Sequence, residues 1–186
     1  GANIIAMDDK DGAIGTVIYM FKDKNGAIWM NAKFGGVLKY DGKKFVRYRK
    51  EQGLFSNEIS CIKEDKEGNI WLGTQQGAIK FDGKQFTRYN KEQGLLSDDV
   101  RDIEQDLKGN IWIATGSGLH KMRDGTMTFF TDSHGLANTN IKNLTVDKTG
   151  NLWIGTVGGG LNRYDGKYMM TLTKKHGLSD KIIRSV

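Results

Sequence analysis

The 186-residue chain is 27 % charged and 38 % hydrophobic, the composition of a folded domain and not of a disordered one. Its formal charge of +6 favours anionic partners and says nothing about fold. With 25 Gly and no Pro it suits tight turns between short strands, and no apolar run approaches the ~18 residues of a membrane helix.

In chain order, residues 1–16 open with Gly1-Ala2-Asn3, which has no signal-peptide character; the signal of an exported parent would have been removed. Ile5 to Thr16 resembles Cys61 to Thr74 with two residues missing, so 1–16 reads as a truncated partial repeat. Four full units follow, at 17–58, 59–99, 100–140 and 141–181, each centred on a tryptophan. Trp29, Trp71, Trp112 and Trp153 recur 42, 41 and 41 residues apart. Each is preceded by a Gly-containing turn such as Glu67-Gly68-Asn69 and followed by Asp-Gly, at Asp41-Gly42, Asp82-Gly83, Asp124-Gly125 and Asp165-Gly166. Gly-Leu comes next, at Gly53-Leu54, Gly94-Leu95, Gly135-Leu136 and Gly177-Leu178. Residues 182–186 repeat the opening of a unit and read as strand A of a further blade.

Within each unit, four short β-branched and aromatic runs read as strands. In the first they are Val17–Phe21, Ile28–Ala32, Val37–Tyr40 and Lys44–Tyr48, hereafter strands A to D. The second has Ile59–Glu64, Ile70–Thr74, Ala78–Phe81 and Gln85–Tyr89. The third has Val100–Gln105, Ile111–Thr115, Leu119–Met122 and Met127–Phe130. The fourth has Ile141–Val146, Leu152–Thr156, Leu161–Tyr164 and Tyr168–Thr173. Asp-Gly predicts two-residue hairpins between C and D. The small residues closing strand B (Gly73, Ala114, Gly155) predict close approach of a neighbouring unit. No helical period is sustained, so little helix is expected. A tandem four-stranded unit of this length predicts an all-β fold, a β-propeller of four-stranded antiparallel blades. Solenoid repeats are usually shorter or helical.

Three readings of the ends stay open. The chain is a fragment of a larger ring (seven blades need about 290 residues), a small ring closed by its terminal strands, or one half of a ring shared by two chains.

The string Asp65-Lys66-Glu67-Gly68-Asn69-Ile70-Trp71-Leu72-Gly73-Thr74, with Gly159 to Gly166 and Gly94 to Val100, resembles the two-component regulator propeller repeat. The resemblance runs from about residue 17 onward. It implies part of the periplasmic sensor region of a hybrid two-component system, a non-catalytic propeller that recognises an oligosaccharide. In that family two seven-blade propellers precede a β-sandwich domain, a membrane helix and a histidine kinase, none of which lies in this chain. A periplasmic or extracellular location follows from the resemblance alone.

The candidate chemistry is sparse. Asp65 to Asn69 and its copies lack the alternating oxygen ligands of a calcium loop and read as turns in which Asp caps backbone amides. They also resemble the Asp-box turn of sialidase-type propellers, one residue longer. His120, His134 and His176 form no ordered acid/base set, and no carboxylate pair is singled out. A propeller lyase, like those that inactivate streptogramin antibiotics, or a glycosidase is the enzymatic alternative; a protein-interaction or self-assembly scaffold is the other. Lone Cys61 reads as a buried, inert thiol. Basic residues around strand D guard an exposed edge or attract an acidic glycan. No nucleic-acid motif, metal set or cofactor site is found.

Function is expected where repeats differ, in the D-to-A and B-to-C connections on one face. They hold Asn31, Lys33, Phe34, Gln75, Gln76, Gln93, Ser117, His134, Asn138 and His176, whose amides, basic group and ring suit sugar recognition. The partners expected are an oligosaccharide, acidic ones included, and either a second copy or further blades of a parent chain.

Overall fold

The computed structural model describes residues 17–32, 35–180, 182 and 183. The expectations for 1–16 and for 184–186 lie outside them. Among the described residues, sixteen strands form four antiparallel sheets, each a simple four-strand meander. Blade 1 holds β1 (Val17–Lys22), β2 (Ile28–Ala32), β3 (Gly36–Tyr40) and β4 (Phe45–Tyr48). Blade 2 holds β5 (Ile59–Glu64), β6 (Ile70–Thr74), β7 (Gly77–Phe81) and β8 (Phe86–Tyr89). Blade 3 holds β9 (Val100–Gln105), β10 (Ile111–Thr115), β11 (Gly118–Arg123) and β12 (Thr126–Phe130). Blade 4 holds β13 (Ile141–Val146), β14 (Leu152–Thr156), β15 (Leu161–Tyr164) and β16 (Met169–Leu172). The innermost strands β1, β5, β9 and β13 touch in sequence, so the described blades stack face to face in an open arc.

Three apolar layers lie between the four sheets, built around Trp29, Trp71 and Trp112, each 2 % exposed. Burying one such side chain contributes at most about 5 kcal/mol. Trp29 meets Phe81 of the next blade, and Trp112 meets Tyr164, so aromatic contact runs from blade to blade. Close approach depends on small residues closing strand B. A Cβ on Gly73 would lie 2.7 Å from Cys61 Sγ and 3.1 Å from Val100 Cγ1 of the following blade. Cys61 is buried there, and burial pushes its thiol far up.

One carboxylate per blade holds the A-to-B turn and the tryptophan together. Trp29, Trp71, Trp112 and Trp153 each donate the indole Nε1–H to the Asp six residues earlier, at 2.8, 2.8, 2.9 and 2.9 Å. The other oxygen of each Asp accepts turn amides, such as Asn110 N at 2.9 Å from Asp106. At Asp106 burial pushes the carboxyl up, but the bonds from Asn110 and Trp112 outweigh it and hold it below the usual range.

Two details differ from the sequence-based expectation. Only Asp124-Gly125 is a two-residue turn, with φ of 50° and 78°. In the other blades the Asp side chain shapes a longer turn: Asp41 Oδ1 accepts the Lys43 and Lys44 amides at 2.8 and 2.9 Å. Short 3-10 turns also follow strand D, at Lys50–Gln52, Lys91–Gln93, Asp132–His134 and Lys174–His176. A three-residue helix has no period to detect. Each closes on the Gly of the Gly-Leu pair at φ near +90°, and Leu54, Leu95 and Leu136 then turn inward.

The cores of blades 3 and 4 are not wholly apolar. His120 (β11) and Asn162 (β15) are fully buried where Leu38 and Ile79 stand in blades 1 and 2. His120 Nε2 accepts the Leu96 amide at 2.9 Å, and Asn162 Oδ1 accepts the Ala137 amide at 2.9 Å. Each pins the connection entering its blade. Burial pushes the His120 imidazole down to about 4.

Two expectations follow. Asp106→Ala strands the Trp112 indole and the turn amides, and should cost about 2–4 kcal/mol in urea unfolding. His120 binds its proton near pH 6.5 when unfolded and near pH 4 when folded. Its contribution is therefore complete above pH 6.5 and lost as pH falls through that window, up to about 3 kcal/mol. His120→Ile, copying blade 2, should flatten the melting temperature between pH 6.5 and 4.5; an unchanged slope would count against burial of the neutral ring.

Candidate functional site

Main-chain bonds draw the B-to-C turns and the D-to-A connections to one end of the stack. The Gly36 amide donates to Asn57 O at 3.1 Å, Gly77 to Asp98 O at 2.8 Å, Gly116 to Asp99 O at 3.2 Å and Val157 to Asn140 O at 2.8 Å. The inner strands begin at this same end. A depression of about 880 Å³ opens there, lined by Ile59, Ser60, Gln75, Asp99, Arg101, Asn140, Lys142, Val157 and Ile182. A second region of about 380 Å³ shares Ser60, Arg101 and Lys142 and continues along the inner strands past Tyr19, Cys61, Lys63, Asp102 and Asn143.

The groups divide into fixed and presented ones. Arg101 donates to Asp99 Oδ2 through Nε and Nη2, both at 2.9 Å, and through Nη1 to Asn140 Oδ1 and Ile141 O. Its guanidinium thus ties blade 3 to the entry of blade 4. Deeper in, Lys63 pairs with Glu104 at 2.8 Å. Burial pushes that ammonium down, but the bond and charge of Glu104 outweigh it and hold the pKa above its usual value. Burial pushes the Asp102 carboxyl up, opposed by the Leu144 amide that donates to it at 2.8 Å. Ser60, Gln75 and Lys142 are exposed and present a hydroxyl, an amide and an ammonium to solvent.

The residues singled out from sequence scatter across this end. Gln75 lines the depression, and Gln75 with Gln76 lines a smaller one of about 490 Å³ beside Lys50, Ser56, Asn57 and Glu58. Gln93, His134 and His176 cap the 3-10 turns: Gln93 Oε1 accepts the Asn90 amide at 3.1 Å, His134 Nδ1 that of Thr131 at 3.2 Å, and His176 Nδ1 that of Thr173 at 3.1 Å. Asn138 Oδ1 accepts the Asn140 amide at 2.8 Å. Ser117 is exposed in the β10–β11 turn. Asn31 lies within β2 at 3 % exposure, and its Nδ2 donates to Ile59 O of blade 2 at 2.7 Å. Lys33 and Phe34 lie outside the described residues.

Sequence reasoning missed Ser60, Arg101 and Lys142. They occupy one column, the second residue of strand A, after the aliphatics Ile59, Val100 and Ile141. A column that is polar in three of the four units (Ile18 holds it in the first) and changes from unit to unit beside a constant apolar neighbour was the available signal. Among the described residues no three His, Cys, Asp or Glu side chains converge as a metal site, and no helix is long and apolar enough to cross a membrane.

The family model of the two-component regulator propeller matches residues 53–76 and 135–158. Each match runs from the Gly-Leu pair through strands A and B. Among solved structures, the chain is similar to the extracellular domain of a hybrid two-component system from B. thetaiotaomicron, at 28 % identity and TM-score 0.82. That alignment covers 95 % of this chain and 25 % of the other, so the chain spans a quarter of that relative's length. Virginiamycin B lyase from Staphylococcus aureus aligns at 14 % identity and TM-score 0.69, over 86 % of this chain and 56 % of the lyase. PorZ, a surface component of the type-IX secretion system of Porphyromonas gingivalis, aligns at 15 % and 0.70, over 98 % and 31 %. These last two likenesses concern the fold alone. No curated protein matches by sequence. Two of the four repeats thus match the two-component regulator propeller repeat, and the fold is similar to that of the extracellular domain of a hybrid two-component system.

Proposed function

We propose that this chain is a non-catalytic, ligand-binding part of a sensor propeller that recognises an oligosaccharide at the axial end, in the periplasm or outside the cell. The depression of about 880 Å³ carries the proposal, because its size lies within the range of small-molecule sites and its presented groups are a hydroxyl, an amide and an ammonium. Such groups exchange hydrogen bonds with sugar hydroxyls, and Lys142 adds attraction for an acidic sugar. The carboxylates present are already engaged, Asp99 by Arg101 and Asp102 by the Leu144 amide. That favours recognition over acid–base turnover. A ligand bridging Ser60, Gln75 and Lys142 touches blades 2 and 4 across blade 3. It would bind one packing of the blades better than another and bias the set of arrangements that a neighbouring domain reads.

A protein-contact reading is supported by exposed apolar groups on the outer side of blades 3 and 4. Phe129, Tyr168 and Met170 are 49, 64 and 47 % exposed. They offer a surface to a second copy or to further parts of a parent chain.

Thermal melts against a panel of neutral and acidic oligosaccharides test the two. At least one sugar should raise the melting temperature, and Lys142→Ala or Gln75→Ala should weaken its binding about tenfold without changing the melt of the free protein. If no sugar acts, but Phe129→Ser with Met170→Ser abolishes self-association in light scattering, the protein-contact reading prevails.

A further inference from the structure

Away from the axial end, the A-to-B turns interlock each blade with the next. At the junction of blades 1 and 2 the Lys24 amide donates to Glu64 Oε2 at 2.9 Å. Its ammonium donates to the main-chain oxygens of Asp65 and Lys66 at 2.6 and 2.8 Å. At the next junction the Lys66 amide donates to Gln105 Oε1 at 2.7 Å, and its ammonium to Asp106 O and Leu107 O at 3.1 and 2.8 Å. Each lysine thus lies across the seam between two sheets.

The junction of blades 3 and 4 is built differently. Leu107 stands where Lys24 and Lys66 stand, and Val146 where Glu64 and Gln105 stand. Leucine has no ammonium to lay across the seam, and valine has no acceptor. Leu107 Cδ1 lies 3.3 Å from the point a Cβ on Gly150 would take, and the side chain remains 58 % exposed. A cleft of about 280 Å³ opens here, walled by Leu107, Trp112, Leu152 and Tyr164 and edged by Lys108, Lys121 and Asp165. That volume suits a ligand of about one ring.

Short contacts join these groups in one row. Lys121 Nζ lies 5.6 Å from the centre of the Trp112 ring, and the Tyr164 ring lies 5.6 Å from the same tryptophan at 70°. The Tyr164 hydroxyl donates to Gly166 O at 2.9 Å, and Lys108 Nζ lies 3.4 Å from the point a Cβ on Gly166 would take. An ammonium therefore stands at each end of a two-ring wall. The carboxylates of the cleft are already engaged. Asp106 accepts the Lys108 and Asn110 amides on one oxygen, and the Asn110 side chain and the Trp112 indole on the other. Asp165 Oδ1 accepts the Tyr168 and Lys167 amides at 2.8 Å; these bonds, with the Arg163 charge, hold its carboxyl below the usual range. Among the described residues neither Lys108 nor Lys121 forms an ion pair. Two cations are thus left without a partner beside an apolar and aromatic wall.

We infer that this cleft binds a small aromatic carboxylate. The ring lies against Tyr164 and Leu107, and the carboxylate accepts from the Lys108 ammonium at the Gly166 edge, with the Lys121 charge adding attraction. A sugar acid fits less well. The Thr149 hydroxyl already donates to Asp147 Oδ1 and accepts from Asn151 Nδ2, both at 2.7 Å, and the Tyr164 proton is held by Gly166. Sugar hydroxyls would lose water there without gaining those partners. The inference is independent of the axial site.

Melts with benzoate, phenylacetate, benzyl alcohol, acetate and glucuronate at one ionic strength test it. Benzoate or phenylacetate should raise the melting temperature by about 3–5 °C at tenfold excess over its Kd. Benzyl alcohol lacks the charge, acetate lacks the ring and glucuronate carries hydroxyls, so none of the three should act at the same concentration. Lys108 is exposed, so Lys108→Ala should leave the melt of the free protein unchanged and weaken carboxylate binding about tenfold, while Lys108→Arg should keep it. Amide chemical shifts should move at Gly150 and Gly166 and stay still at Gln75. No response to either aromatic acid, a response to benzyl alcohol or glucuronate as large as theirs, or one kept in full by Lys108→Ala would overturn the inference.

Discussion

A single carboxylate in each blade serves two masters: a turn of main chain and an indole ring. Its one oxygen gathers the amides that reverse the chain between the two inner strands. Its other oxygen holds the tryptophan of the second strand by the ring nitrogen, at 2.8 to 2.9 Å in all four blades. A hydrogen bond to a charged group contributes about 1.5–3 kcal/mol net, and a buried polar group left without one costs a comparable amount. The ring therefore has one permitted position. That position sets where the next blade can pack, since Trp29 and Trp112 each contact an aromatic residue of the following sheet.

With that contact fixed, the rest of the framework has little freedom. Strand B must close on a small residue where the next inner strand crosses it, as Val100 crosses Gly73. Where Asn31 takes that place in blade 1, it spends its amide on Ile59 O of blade 2. Variation is admitted only where a side chain leaves the packed layers or where one bonding scheme replaces another. The axial column of Ser60, Arg101 and Lys142 is the first kind. Leu107 with Val146, in place of a lysine and its acceptor, is the second. His120 and Asn162 are a third, polar groups held in the core because each meets a main-chain amide from the preceding connection.

Much of the fold was legible because repetition amplifies weak signals. One Gly-Asn or one Asp-Gly pair says little, but four copies in register define strands to within a residue. The site was legible only in part. Gln93, His134 and His176 vary and lie in loops, which marks them as candidates; in the structure each accepts the amide at the start of a 3-10 turn. A cap tolerates glutamine or histidine because either offers one acceptor at the right reach, so variation there needs no change of ligand. Arg101 shows the reverse. A lone arginine in a strand pattern suggests an exposed face, yet its donors are consumed by Asp99 and by the entry to blade 4.

Local chemistry alone determined that this protein is a tandem of four-stranded units. Turn residues, strand propensities and the tryptophan period all act over a few residues and are written in order along the chain. Tertiary structure decided which polar groups remain to be used. That depends on partners about forty residues away, one blade further on, and pairing at that distance is set by how sheets stack. The exposure of Lys142, the occupation of Arg101 and the missing lysine at the third junction all come from that stacking.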